Sequence, residues 1–207
     1  MSEAAAPHYI QTIRERCRVC YTCVRECPAK AIRILDGQAE VIPERCIGCG
    51  NCIRVCSQDA KQAASSIDAV TAMLADGVPV AALVAPSYPA EFPDQDYRRV
   101  VGALKQLGFA SVHEVAFGAD LVSRALRQLL DKDPVRHYIT TACPAVVAYI
   151  EKYHPDLVSF LTPIASPMIA TARALRRSRP APLRIVFIGP CIAKKGEAAR
   201  DTLAGEV

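Results

Sequence analysis

The chain has 207 residues, enough for one or two domains with a sizeable buried core. Half of it is apolar and 22% is charged, which excludes a disordered chain, and the net charge of +4 is small. The longest apolar run, VPVAALVAP, is too short to span a bilayer, so no membrane partner is expected.

The N-terminus, MSEAAAPHYI, lacks a basic start followed by an apolar stretch, so the sequence carries no sign of a secretory signal and points to the cytoplasm. Thiols there stay reduced, and clustered cysteines more often bind metal or do redox work than form disulfides. Of the ten cysteines, eight lie before residue 57. Cys17, Cys20, Cys23 and Cys27 recur as Cys46, Cys49, Cys52 and Cys56, every one displaced by 29 positions. This is a duplicated C-x2-C-x2-C-x3-C pattern. Three thiolates at two-residue gaps wrap one corner of a small inorganic cube. The fourth, three residues on, points away from it. In two-cluster ferredoxins that fourth thiolate ligates the other cluster. On that rule Cys17, Cys20, Cys23 and Cys56 hold one [4Fe–4S] cluster, and Cys46, Cys49, Cys52 and Cys27 hold the second. Zinc is the rival, but zinc knuckles pair two cysteines across a longer gap.

The neighbours fit this reading. Gly48 and Gly50 leave room for backbone N–H groups beside cluster sulfurs. Pro28 fixes the turn after Cys27, whereas Ser57 stands at the matching place in the second copy without removing a ligand. AIRIL and AEVIP, split by DGQ, predict a small hairpin between the loops. Residues 10 to 62 resemble bacterial two-cluster ferredoxins, which carry single electrons and transform no substrate themselves.

The domain reading is therefore a ferredoxin-like part over 1–64, a connecting helix over 65–77 within the helical pattern of 62–77, and an α/β part over 78–207. VPVAALVAP (78–86) predicts a buried strand, DYRRVVGALKQLGF (96–109) an amphipathic helix stopped near Gly108, and SVHEVAF a strand. A helix over 118–133 follows, then strands at RHYIT (136–140) and RIVFIG (184–189). Helices are expected near 144–153, 155–161 and 165–178. The basic run RALRRSR (173–179) is a solvated helix face. No aromatic residues interleave with it, so no nucleic-acid partner is expected. Alternation of this kind favours a mostly parallel sheet with helical crossovers, an α/β domain after an α+β one. Cys143, Cys191 and Ser87 each follow a predicted strand, where open α/β sheets place their ligand sites. A lone cysteine is also often a small buried hydrophobe. His113, His137 and His154 are expected to be packing or surface residues.

From residue 78 onward the chain resembles the large subunit of iron-only (FeFe) hydrogenases. TTACP (140–144) is similar to that family's first cluster motif, T-S-C-C-P. PCIAKKGE (190–197) is similar to its second, P-C-x-x-K-K-x-E. EKYHPDLVSFLTPIASP (151–167), VAPS (84–87) and LGFASVHEVAFGADL (107–121) resemble the family in order and spacing. The resemblance implies an H-cluster, a [4Fe–4S] cubane joined to a two-iron centre, with Cys143 and Cys191 as cubane ligands. It implies that Lys194 hydrogen-bonds a cyanide ligand and that Glu197 supports the site or a proton path. The implied reaction is two protons and two electrons giving H2, reversibly.

Two departures bear on this. The family's proton-delivering cysteine is Ala142 here, and alanine relays no proton, which resembles the branch associated with hydrogen sensing. The family's third cysteine motif would lie beyond Val207, so the chain is expected to be an N-terminal fragment, inactive by itself. The functional expectation is a two-cluster electron-transfer protein fused to part of a hydrogenase-like domain. Its redox partner would be a ferredoxin, a flavoprotein or another electron donor or acceptor. The alternatives are a non-catalytic electron carrier and a hydrogenase-like iron–sulfur assembly or regulatory protein.

Overall fold

The computed structural model describes residues 9–178 and 182–200. Residues 1–8 of the leading stretch, Arg179 of the basic run and the closing DTLAGEV lie outside the described residues. Compactness divides the chain into two units. One gathers residues 9–65, 143–159 and 191–197, the other residues 66–142, 160–190 and 198–200.

The first unit is built on the duplication. Strand β1 (Ile10–Thr12) pairs antiparallel with β4 (Lys61–Ala63), and β2 (Ile32–Leu35) with β3 (Gln38–Val41). Ile10 faces Ala63 in one ladder. Ala39 faces Ile34 in the other, each displaced by 29 positions from its counterpart. The two ladders are one structure made twice, with the copies exchanged around it. The hairpin between β2 and β3 turns at Asp36–Gly37, both with positive φ, as a two-residue hairpin turn requires. The short helices α1 (Thr22–Arg25) and α2 (Asn51–Arg54) each carry the third cysteine of a repeat into the core. That core is small and cysteine-rich: Ile10, Ala29, Ala31, Ile32 and Ala39 pack with Cys23, Cys27 and Cys52. Helix α7 (Pro144–Tyr153) and the segment holding α9 (Ala193–Ala198) complete this unit.

The second unit is a three-stranded parallel sheet with helices. Its order is β6 (Ser111–Glu114), β5 (Val80–Val84), β7 (Arg184–Ile188). All five residues of β5 are buried, which is why this strand is a continuous apolar run and not an alternation. Ala81 and Leu83 share a cluster with Ala172 and Leu175 of α8 (Pro167–Ser178). Val80 and Ala82 share another with Val70 and Leu74 of α3 (Ile67–Ala75) and Leu104 of α5 (Tyr97–Gln106). Asp96 caps α5, its carboxylate accepting the Arg98 N–H at 2.8 Å. Helices α4 (Tyr88–Glu91) and α6 (Ala116–Lys132) complete the unit.

The connecting helix, expected over 65–77, runs over Ile67–Ala75, while Gln62 and Ala63 before it are held in the ladder with β1. Two expectations are corrected. No strand forms over 136–140. A single parallel bridge joins Ile139 to Leu161, and the Thr141 hydroxyl then bonds Thr162 Oγ at 2.9 Å and the Ile164 carbonyl at 2.5 Å. Side-chain hydroxyls thus take over where a ladder would continue. The helix expected near 155–161 is a 3-10 helix, Pro155–Phe160.

Candidate metal centres and their setting

Each cysteine repeat begins in the same backbone shape. The N–H groups of Arg16 and Cys17 turn back to the Ile13 carbonyl, and those of Arg45 and Cys46 to the Ile42 carbonyl. Two residues past the first cysteine the chain enters the left-handed region, and it does so again two residues later. The residues are Val19 (φ 52°) and Tyr21 (φ 63°) in the first copy, Gly48 (φ 70°) and Gly50 (φ 76°) in the second. This path curls the first three thiols of each copy around a common point. Only the second copy uses the residue best suited to it.

The thiols line two cavities. Cys17, Cys20, Cys23 and Cys56 stand in the wall of one, and Cys27, Cys46, Cys49 and Cys52 in the wall of the other. Each wall therefore takes three cysteines from one copy and the fourth from the other. Neither wall contains a carboxylate or an imidazole. Four soft sulfur donors with no hard ligand suit an iron–sulfur cluster. Backbone donors already point at the sulfurs. Ala31 N–H reaches Cys27 Sγ and Ala60 N–H reaches Cys56 Sγ, each at 3.3 Å, while Gly48 N–H reaches Cys46 Sγ at 3.4 Å.

Electrostatics sorts these thiols. Burial pushes Cys52 up to about 12 and raises Cys23 and Cys46 as well. Exposed Cys20 goes the other way, drawn down by the hydroxyl and N–H of Thr22, whose Oγ lies 3.5 Å from the sulfur. The buried thiols lose their protons when a metal replaces them, so loading releases protons and is favoured by higher pH.

Helix α7 is fastened to the cysteine loops of its own unit. Lys152 Nζ donates to the Cys46 carbonyl at 2.8 Å, and Tyr153 Oη lies 2.7 Å from the Ala29 carbonyl and 2.9 Å from that of Arg45. These contacts are invisible in the sequence, since about a hundred residues separate the partners. Lys61 was also missed. It is a buried lysine whose counterpart 29 positions earlier is Ile32, so overlaying the two repeats would have exposed it.

The late cysteines are both exposed. Cys143 is the N-cap of α7, with Pro144 opening the helix, and Cys191 immediately precedes the turn into α9. Both belong to the cysteine-loop unit, whereas Ser87 belongs to the sheet unit and lines an apolar groove there with Tyr88, Phe92 and Leu104. Lys194 and Glu197 form an ion pair at 2.7 Å on α9, with only 11% and 10% of their side chains exposed. His113 is half-buried against Ser111 Oγ at 2.9 Å, and His154 packs on Tyr149 with ring centroids 5.1 Å apart.

One unit with two thiol-walled cavities and another with a parallel α/β sheet define an iron–sulfur protein of hydrogenase-like architecture. Residues 78–207 match the family of the iron-only hydrogenase large subunit, C-terminal domain, and residues 9–57 match the 4Fe-4S dicluster domain. The chain belongs to the iron-only hydrogenase large-subunit family. It is 32% identical to the periplasmic [Fe] hydrogenase large subunit of Nitratidesulfovibrio vulgaris over 95% of its own length and 52% of that protein. It is 30% identical to the cytosolic Fe-S cluster assembly factor NAR1 of Yarrowia lipolytica over 50% of its length and 22% of that protein. Among solved structures it is similar to an apo [FeFe]-hydrogenase from Chlamydomonas reinhardtii, with a TM-score of 0.54 and 28% identity, covering 67% of this chain and 41% of that one. The chain thus spans about half the length of the first relative. No helix among the described residues is long and apolar enough to cross a membrane.

Proposed function

We infer that the chain is the electron-entry portion of a hydrogenase-type protein, with two [4Fe–4S] clusters exchanging single electrons with a redox partner protein such as a ferredoxin or flavoprotein. The observation that carries this reading is the sorting of eight thiols into two walls, each completed by a cysteine from the other copy. Cys17, Cys20, Cys23 and Cys56 would hold one cluster, and Cys46, Cys49, Cys52 and Cys27 the other. The crossing ties the two halves of the duplication together. When bound, the clusters supply one-electron storage at low potential. The chain's own contribution is the backbone N–H groups of Ala31, Gly48 and Ala60 at the sulfurs and the exclusion of water from Cys23 and Cys52.

In the longer protein, Cys143 and Cys191 would be two of the cubane ligands of an H-cluster. The close pairing of Lys194 with Glu197 supports a role for both beside that site, because the carboxylate holds the ammonium in a fixed place. Hydrogen turnover or hydrogen sensing would be the activity of that longer protein. Ala142 favours sensing, since no side chain at that position can pass a proton. Similarity to the assembly factor in yeast keeps a second reading, a hydrogenase-like protein of iron–sulfur assembly. A reductive titration of the anaerobically reconstituted chain tests the first. About two electrons per chain are expected, one for each cluster. Uptake of one electron, or none, contradicts it.

A further inference from the structure

The two cavities are walled by equivalent residues, matched through the 29-residue displacement. Ala31 in one wall corresponds to Ala60 in the other, and Gly50 to Tyr21. One pair differs in charge and is buried on both sides. Ile32, 6% exposed, lines the Cys27–Cys46–Cys49–Cys52 cavity, and Lys61, 4% exposed, lines the Cys17–Cys20–Cys23–Cys56 cavity. Arg18 adds a second cation to the latter wall, but it is exposed and its field is screened by solvent.

Lys61 is held in place. Its Nζ donates to Thr12 Oγ at 2.5 Å and to the Ala39 carbonyl at 2.6 Å. Both partners are neutral. An ammonium taken out of water with only neutral partners is costly, and the cost falls when an anion sits nearby. A cluster carrying four thiolates is such an anion.

We propose that Lys61 sets the two clusters at different potentials, making the one in the Cys17–Cys20–Cys23–Cys56 cavity the easier to reduce, so that a single electron entering the pair rests there. A fixed cation favours the form with one more negative charge, and in a water-poor site its field is weakly screened. Each cluster takes one electron and no atom is transferred. Among the described residues in the wall with Ile32 there is no cation, and Lys152, bound to the Cys46 carbonyl nearby, is exposed, so solvent screens its field. This inference rests on the two-cluster reading above.

The test is a potentiometric titration of the reconstituted chain, with dithionite as reductant, monitored by electron paramagnetic resonance in wild type, Lys61→Ile, Lys61→Met and Lys61→Arg. Iron and sulfide are measured in each. Wild type is expected to show two separated one-electron steps. Lys61→Ile, which installs the residue of the other cavity, should lower the higher step by about tenfold in its reduction equilibrium, about 59 mV for a one-electron couple. The lower step should move less. Lys61→Met should do likewise, and Lys61→Arg should preserve the separation. Unchanged potentials in both neutral variants at full iron content, or equal movement of the two steps, would overturn the proposal. A wild type that takes up too little iron for two clusters would instead overturn the two-cluster reading.

Discussion

Lys194 Nζ lies 2.7 Å from Glu197 Oε2, three residues along one helical turn, and both side chains are about nine-tenths buried. A pair so placed must stand or fall together. Removing the lysine alone leaves a carboxylate out of water without its partner, which costs about 3–5 kcal/mol. Lys194→Ala and Glu197→Ala should each lower the denaturant midpoint steeply. The double variant Lys194→Met with Glu197→Leu should lose less than either. The comparison is a double-mutant cycle read by equilibrium unfolding under anaerobic conditions.

Tyr153 anchors α7 to the cysteine loops through the Ala29 and Arg45 carbonyls. Tyr153→Phe should lose about 1 kcal/mol of stability, the usual net worth of such a hydrogen bond. Burial raises the phenol above its ordinary value of 10, so the folded state favours the protonated form. The hydroxyl's contribution is therefore complete below pH 10 and is lost as pH rises through the raised value. The stability gap between wild type and Tyr153→Phe should narrow above pH 10.

Val19 and Gly48 occupy equivalent left-handed positions, at φ 52° and 70°. A β-branched residue there costs about 1–2 kcal/mol. Val19→Gly should relieve part of that, leaving the chain at least as stable. Gly48→Val should be harmful twice over, since a Cβ at Gly48 would lie 3.1 Å from the Ala193 backbone. Thermal unfolding of the two reconstituted variants should move in opposite directions.

On the proposed hydrogenase reading, Ala142 takes the place of a proton-delivering cysteine. On that reading, Ala142→Cys in a protein carrying an assembled H-cluster should raise hydrogen turnover, by about 10²–10⁴-fold where proton transfer limits the rate. A hydrogen electrode measures it. No change would mean that protons take another route.

Much of the cysteine-loop unit was legible because the duplication is written in cysteine spacing, and spacing dictates which thiols can share one centre. The β2–β3 hairpin was legible from Asp36–Gly37. Strands β1 and β4 were not, because each is three residues long and its pairing spans about fifty positions. β5 announced itself through five successive buried residues. The 136–140 segment looked equally like a strand, but hydroxyls of Thr141 and Thr162 replace most of its ladder. The late cysteines became recognisable only through their flanking motifs. The Lys61 side chain escaped notice because a lysine at the end of a polar stretch looks solvated until its hydrogen-bond partners are seen.

The most direct measurement is iron and acid-labile sulfide per chain after anaerobic reconstitution, made on wild type and on the Cys143→Ala, Cys191→Ala double variant. Two crossed cubanes require about eight of each from the N-terminal cysteines, and the double variant should retain all of them. About four irons in that variant, or stoichiometric zinc in place of iron, would contradict the crossed two-cluster assignment.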